Sequence, residues 1–194
     1  MAQAQSGPHR LHLFSDAVFA VLITVLVLDL RPPAEHSFAA LLLLWPTWVS
    51  YAVSYLFIAI VWANHHHLMG FAHTSTPRLV WANFAHLFTV SLVPFATAWV
   101  AESRLAASPV SLYAAIFFLV DATYLTLYWE ALDRPKLGDV AMRRIVRTRS
   151  WVTLALFAAA TAVALFVPAV GMALIFFCLI LYIKPEPRLT ALEN

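Results

Sequence analysis

The chain is a succession of apolar stretches long enough to cross a bilayer, separated by short polar or proline-containing breaks. A spanning helix needs ~20 mostly apolar residues to cross ~30 Å of hydrocarbon. Six such spans are predicted, at about 14–30, 38–63, 79–101, 110–128, 145–167 and 170–183. The first stops before Arg31-Pro32-Pro33. The second carries Trp45-Pro46 a third of the way in, and the third carries Pro94; each proline predicts a bend, because it lacks an N–H and its ring crowds the preceding turn. The last two spans share the stretch from Ser150 to Ile183, broken near Pro168 and Gly171. That is short for two crossings, so either the fifth span starts earlier, inside a basic segment, or the hairpin is tilted or thins the bilayer.

Composition closes off the alternatives. Hydrophobic residues make up 62% of the 194 and charged residues 11%, where about a quarter is usual. A soluble domain of this size has too much surface to hide so much apolar side chain. Disorder, coiled coil, a secreted disulfide scaffold and nucleic-acid binding are excluded on the same ground. The lone Cys178 cannot form an internal disulfide. With aspartates inside each end and no small-residue cleavage site after it, the first stretch does not read as a signal peptide. The expected fold is an all-α integral membrane protein, one six-helix domain over 1–194, with no soluble domain, linker or repeat.

Lysine and arginine set the orientation. With both termini cytoplasmic, the inner segments hold Arg10, Arg78, Arg134, Lys136, Arg143, Arg144, Arg147, Arg149, Lys184 and Arg188. The outer segments hold only Arg31 and Arg104. This bias predicts a multi-pass protein of the cell membrane. The Arg143–Arg149 cluster then lies at the inner leaflet, against anionic lipid.

Ionisable groups inside hydrocarbon are costly and have to be explained. They are Asp16 and Asp29 near the two ends of the first span, Asp121 in the fourth, and His65, His66 and His67 ending the second. Asn83 and His86 open the third. Consecutive histidines point ~100° apart and cannot share an ion from one helix face. Only His66 or His67 with His86 could do so across helices, so no metal is expected and interhelical hydrogen bonding is. On the first span, Phe14, Ala17, Val21, Thr24 and Leu28 fall within about 80° of one another, and Arg10 continues the stripe. Such a stripe fits packing against neighbours. Asp16 lies about 140° from Val21 and is expected to face its own bundle, with Arg10, Asn83 or a histidine of the 65–67 run as partner.

These residues carry a resemblance. Arg10-Leu-His-Leu-Phe14-Ser15-Asp16 reads R-x-x-x-F-S-D and leads into Thr24-Val-Leu-Val-Leu28-Asp29. Trp62-Ala-Asn64-His65-His66 follows at the end of the second span, and Asn83 to Pro94-Phe95-Ala-Thr97 forms the third. Over Arg10 to Thr97, about half the chain, this resembles the bacterial relatives of the lysosomal potassium channel called transmembrane protein 175. Three motif blocks in the right order on three spans are specific.

The resemblance implies a homotetramer in which four copies of the first helix line a central pore. It implies conduction of potassium in preference to other monovalent cations, with no cofactor and no enzymatic activity. Side-chain rings at Val21, Thr24 and Leu28 would constrict the pore in place of a T-V-G-Y-G carbonyl filter, which the chain lacks. Val21 departs from the family's usual Ile or Leu and is one methylene smaller. Asp29 would gather cations at the pore mouth, or is a surface residue beside Arg31. Arg10, Phe14, Ser15, Asp16, Trp62, Asn64, His65, His66 and Asn83 would form a polar network holding the first helix in register. The competing reading is a proton- or cation-coupled secondary transporter using Asp16 and the His65–His67 region. Its paired, glycine-interrupted helices are hard to build from only 4 glycines.

Overall fold

The computed structural model describes residues 6–72, 74–131 and 140–182, and every regular element among them is helical. The elements are α1 (Ser6–Leu28), α2 (Phe38–Leu42), α3 (Trp45–Met69), α4 (Pro77–Ser91), α5 (Val93–Glu102), α6 (Ala107–Ala131), α7 (Val140–Ala164) and α8 (Pro168–Tyr182). Among the described residues, four stretches are long and apolar enough to cross a membrane: Gly7–Leu28, Trp45–Met69, Pro77–Glu102 and Ala107–Ala131. Ser150–Ala164 and Pro168–Leu181 are shorter apolar helices. The protein is therefore a helical membrane protein.

Proline does more than bend the second and third spans. Each breaks into two helices just upstream of its proline, leaving Pro46 and Pro94 in the first turn of the helix that follows. There the missing N–H is one that no intrahelical carbonyl would have taken. The chain resumes at once, with Trp48 N–H bonding Leu44 O at 3.1 Å and Ala96 N–H bonding Leu92 O at 3.2 Å. Thr76 caps α4, its hydroxyl accepting from Leu79 N–H at 3.1 Å.

Two helices start earlier than the apolar pattern suggests. α1 begins at Ser6 rather than near Phe14, so that Arg10 and His12 belong to the first spanning helix itself. α7 begins at Val140, inside the basic segment, which is the first of the two resolutions expected for the short fifth span. Of the basic residues that set the orientation, Arg134, Lys136, Lys184 and Arg188 lie outside the described residues. The cluster from Arg143 to Arg149 is described only as helical backbone.

α6 is the centre of the bundle and packs against α3, α4, α5, α7 and α8. Its ring of Phe117 stacks on Phe57 of α3 with centroids 3.6 Å apart, and Phe157 of α7 meets both rings edge-on. Beside them Ser54 joins Thr97 and Tyr113, each at 2.6 Å, so the buried hydroxyls of three helices satisfy one another. α1 stands at the edge of this core. Only 22% of its apolar window is buried, against 50% for Pro77–Glu102 and for Ala107–Ala131.

α7 and α8 close into a tight hairpin at Gly171. A Cβ there would sit 2.6 Å from Ala164 Cβ and 2.9 Å from its Cα, so only glycine permits this approach. Gly171→Ala is expected to destabilise the protein by about 1–3 kcal/mol through overpacking. Thermal melting of detergent-solubilised protein checks this, with the exposed Val170→Ala as the control expected to change little.

Candidate functional site

α1 has two faces, set by the helical period. Ser15, Phe19, Leu22 and Leu26 recur at i, i+4, i+7 and i+11 and are buried against the bundle. Phe14, Ala17, Val21, Thr24 and Leu28 lie on roughly the opposite side and are exposed in the single protomer. Val21 is 58% and Leu28 78% accessible. The stripe expected from spacing is thus an unpacked face and makes no use of the protomer's own core. The Thr24 hydroxyl donates to the Val21 carbonyl at 2.7 Å, which leaves its oxygen lone pairs free to face outward. Asp29, just past the end of α1, is exposed and shares a surface basin with Arg31, Glu102 and Arg104.

The N-terminal half of α1 is fixed by polar contacts. Asn83 of α4 is fully buried between α1 and α3. Its amide nitrogen donates to Ser15 Oγ at 3.0 Å, and its carbonyl oxygen accepts from His65 Nε2 at 2.7 Å. The Ser15 hydroxyl donates in turn to Leu11 O at 3.0 Å. Ser15, His65 and Asn83 are therefore brought together as one buried chain of hydrogen bonds. His65 also lies parallel to His86, with ring centroids 5.7 Å apart, and His86 Nδ1 is 3.2 Å from Thr123 Oγ1 of α6. His86 and Thr123 extend the network beyond what the motif blocks indicated.

Asp16 is placed differently from expectation. It lies between α1 and α3 and is partly exposed. Of the expected partners, a histidine of the 65–67 run is present, His66, and Arg10 and Asn83 are not. Trp62 Nε1 donates to Asp16 Oδ1 at 2.9 Å, and His66 Nδ1 lies 3.6 Å from the same oxygen. His12, one turn earlier on α1, approaches the other oxygen at 3.6 Å and His66 Nδ1 at 2.9 Å. Spacing could have found His12, since His12 and Asp16 are an i, i+4 pair on one helix face.

The other members of the expected network scatter. Arg10 is exposed, and Phe14 meets Phe84 edge-on at 5.6 Å. Asn64 turns away from α1 and lines a pocket with Asp121, Tyr124, Ser150, Thr153 and Cys178. The Asn64 carbonyl accepts from Tyr124 at 3.4 Å. His67, the third of the run, is exposed against the edge of Phe71. The one-residue step of ~100° explains why three adjacent histidines end in three different surroundings.

The Asn83 chain supports a double-mutant test. Asn83→Ala leaves His65 without its bond and is expected to cost about 2–3 kcal/mol; Ser15→Ala is expected to cost about 1 kcal/mol. The double variant should fall short of the sum by about 0.5 kcal/mol or more, because the two side chains share one interaction. Strict additivity in melting or denaturant titration would refute the shared chain.

Comparison with known proteins follows the same residues. A family model for the endosomal/lysosomal potassium channel TMEM175 matches residues 10–94, the stretch that holds α1, Asp16, the histidine run and Asn83. A potassium channel of Chamaesiphon minutus is 33% identical over 149 residues, covering 70% of this chain and 71% of its own. One of Streptomyces collinus is 32% identical over 138 residues, or 67% of each chain. One of a Chryseobacterium species is 28% identical over 182 residues, covering 93% of this chain and 94% of its own. The fold is similar to the crystal structure of a lysosomal potassium-selective channel TMEM175 homolog from Chamaesiphon minutus, with TM-score 0.80 and 28% identity. That match covers 92% of this chain and 97% of the other. By motif, helix arrangement and relatives together, the chain belongs to the TMEM175 family of potassium channels.

Proposed function

We propose that the protein conducts potassium through a pore formed by four copies of α1, with Val21, Thr24 and Leu28 as successive rings. The observation that carries this reading is the bare outer face of α1. It is the most apolar of the four candidate spans and the least buried, and its exposed stripe holds the three ring positions. Two further crossings by α7 and α8 complete six helices per protomer, both termini lying in the cytoplasm of a cell-membrane protein. Family membership displaces the transporter alternative, since the relatives are named potassium channels.

The rings work through hydration. An apolar constriction passes an ion only if water stays with it or is replaced. Potassium holds its water less tightly than sodium, so a partly dehydrating ring favours potassium. Thr24 stands one turn beyond Val21, about 4.5 Å along the axis, and offers its hydroxyl oxygen in place of a lost water. Leu28 closes the outer end, and four copies of Asp29 raise the local cation concentration beyond it. Selectivity of this kind comes from the size and dipoles of side chains. Val21, being smaller than the usual residue, makes the innermost ring wider.

The Ser15–Asn83–His65 chain and the Asp16–Trp62 bond act as positioning contacts. They fix the rotation of α1, and hence which residues the pore presents. Asp16→Asn is expected to harm assembly more than ion preference; a stable assembly with altered preference would contradict that role.

Potassium and sodium flux into liposomes, measured side by side, tests the pore. Val21→Leu is expected to lower total flux and raise the potassium-to-sodium ratio. Thr24→Val, which removes the hydroxyl at nearly constant volume, is expected to lower that ratio. Ratios equal to wild type in both variants would overturn the ring assignment, and a dimeric or monomeric mass for the solubilised protein would overturn the tetramer.

A further inference from the structure

We infer that His12, Asp16 and His66 form a binding site for a divalent transition-metal ion of the zinc class, clamping α1 to α3. Two i, i+4 pairs face each other here: His12 and Asp16 on α1, Trp62 and His66 on α3. Their donor atoms converge. His12 Nε2 is 2.9 Å from His66 Nδ1, and each of these nitrogens is 3.6 Å from an oxygen of Asp16. All three ligand atoms lie within 4.8 Å of one another. Zinc bonds of 2.0–2.1 Å in a tetrahedron put neighbouring ligands about 3.3–3.4 Å apart. These separations bracket that figure; the two of 3.6 Å run to different oxygens of Asp16, so the carboxylate turns to present one oxygen to both nitrogens as an ion seats.

The chemistry of the donors fits as well as their spacing. Two imidazole nitrogens and one carboxylate oxygen are the ligand set of three-protein-ligand zinc sites, which keep a fourth position for water. Imidazole selects zinc, copper or nickel over magnesium and calcium, which prefer all-oxygen shells. Without an ion, the two facing nitrogens must share a single proton between them. Zinc replaces that proton and bonds both. Trp62 Nε1 holds Asp16 Oδ1 at 2.9 Å, the kind of outer contact that orients a ligating carboxylate. The cluster is open to an entering ion in the single protomer, its side chains being 20%, 30% and 51% accessible at His12, Asp16 and His66. His67 next door faces away and takes no part.

The site is distinct from the pore proposal, and its test does not depend on conduction. Full-length protein carrying no polyhistidine tag, in detergent, is titrated with zinc chloride by calorimetry, and metal retained after desalting is counted by mass spectrometry. The expected result is saturable binding of one zinc per chain, with a rise in melting temperature that tracks zinc concentration. His12→Gln and His66→Gln should each weaken binding at least ~10-fold and abolish that rise, and Trp62→Phe should weaken it about 10-fold. His67→Gln should bind as wild type does, and magnesium in excess should not compete. His12→Gln alters only a partly exposed side chain, so it remains informative if another variant does not fold. No saturable binding by folded wild-type protein overturns the site. Equal affinity in wild type and both glutamine variants overturns it too. Either failure leaves the potassium flux results to be judged separately.

Discussion

Asn83 has to serve two helices with one amide, and the position of α1 follows from how it does so. Its nitrogen reaches Ser15 and its oxygen reaches His65, all three fully buried. In a low-dielectric interior an unmade bond costs about 1–3 kcal/mol, more than the net gain of a typical hydrogen bond. A rotation of α1 by one residue would carry Ser15 out of reach and leave the Asn83 amide nitrogen without its partner. The polar chain therefore selects a single rotation, which apolar packing of Phe19, Leu22 and Leu26 alone would specify less sharply. Once that rotation is fixed, the outward stripe through Val21 and Leu28 is fixed with it.

The remainder of the bundle is arranged so that α1 contributes only one face to the core, through Phe19, Leu22 and Leu26. α6 gathers α3, α4, α5, α7 and α8 around itself, and the Phe57, Phe117 and Phe157 rings join three of these helices in one contact. Breaks upstream of Pro46 and Pro94 let the second and third spans change direction without leaving the bundle. α1 rests on this assembly through one narrow face.

Much of this was legible in the sequence, for identifiable reasons. Apolar length gave the spans, and the prolines gave the two interruptions. The 3.6-residue period alone placed Val21, Thr24 and Leu28 on one face. Other features depended on distances that no one-dimensional pattern contains. The start of α1 at Ser6 is not legible in the apolar pattern because Pro8, His9, Arg10 and His12 are not apolar, although proline and charge are both compatible with a first helical turn. Adjacency in sequence pairs Asn64 with His65, yet a ~100° step sends the two to different neighbours. His12 occupies a variable position of the R-x-x-x-F-S-D motif, so the motif carries no sign of its approach to His66.

The sparse burial of α1 also bears on how the protein behaves in membranes of different composition. In one copy its apolar side chains are met by lipid; in the proposed assembly they would be met by sister helices or by the ion path. Lipid tails are as apolar as leucine, so hydrophobicity alone gives no preference between these partners. Mass action then enters: diluting the protein in lipid favours separated copies, and crowding it favours assembly. For the proposed tetramer, the quantity that decides whether a conducting unit exists is thus the number of copies per area of bilayer, as much as anything inside a single chain.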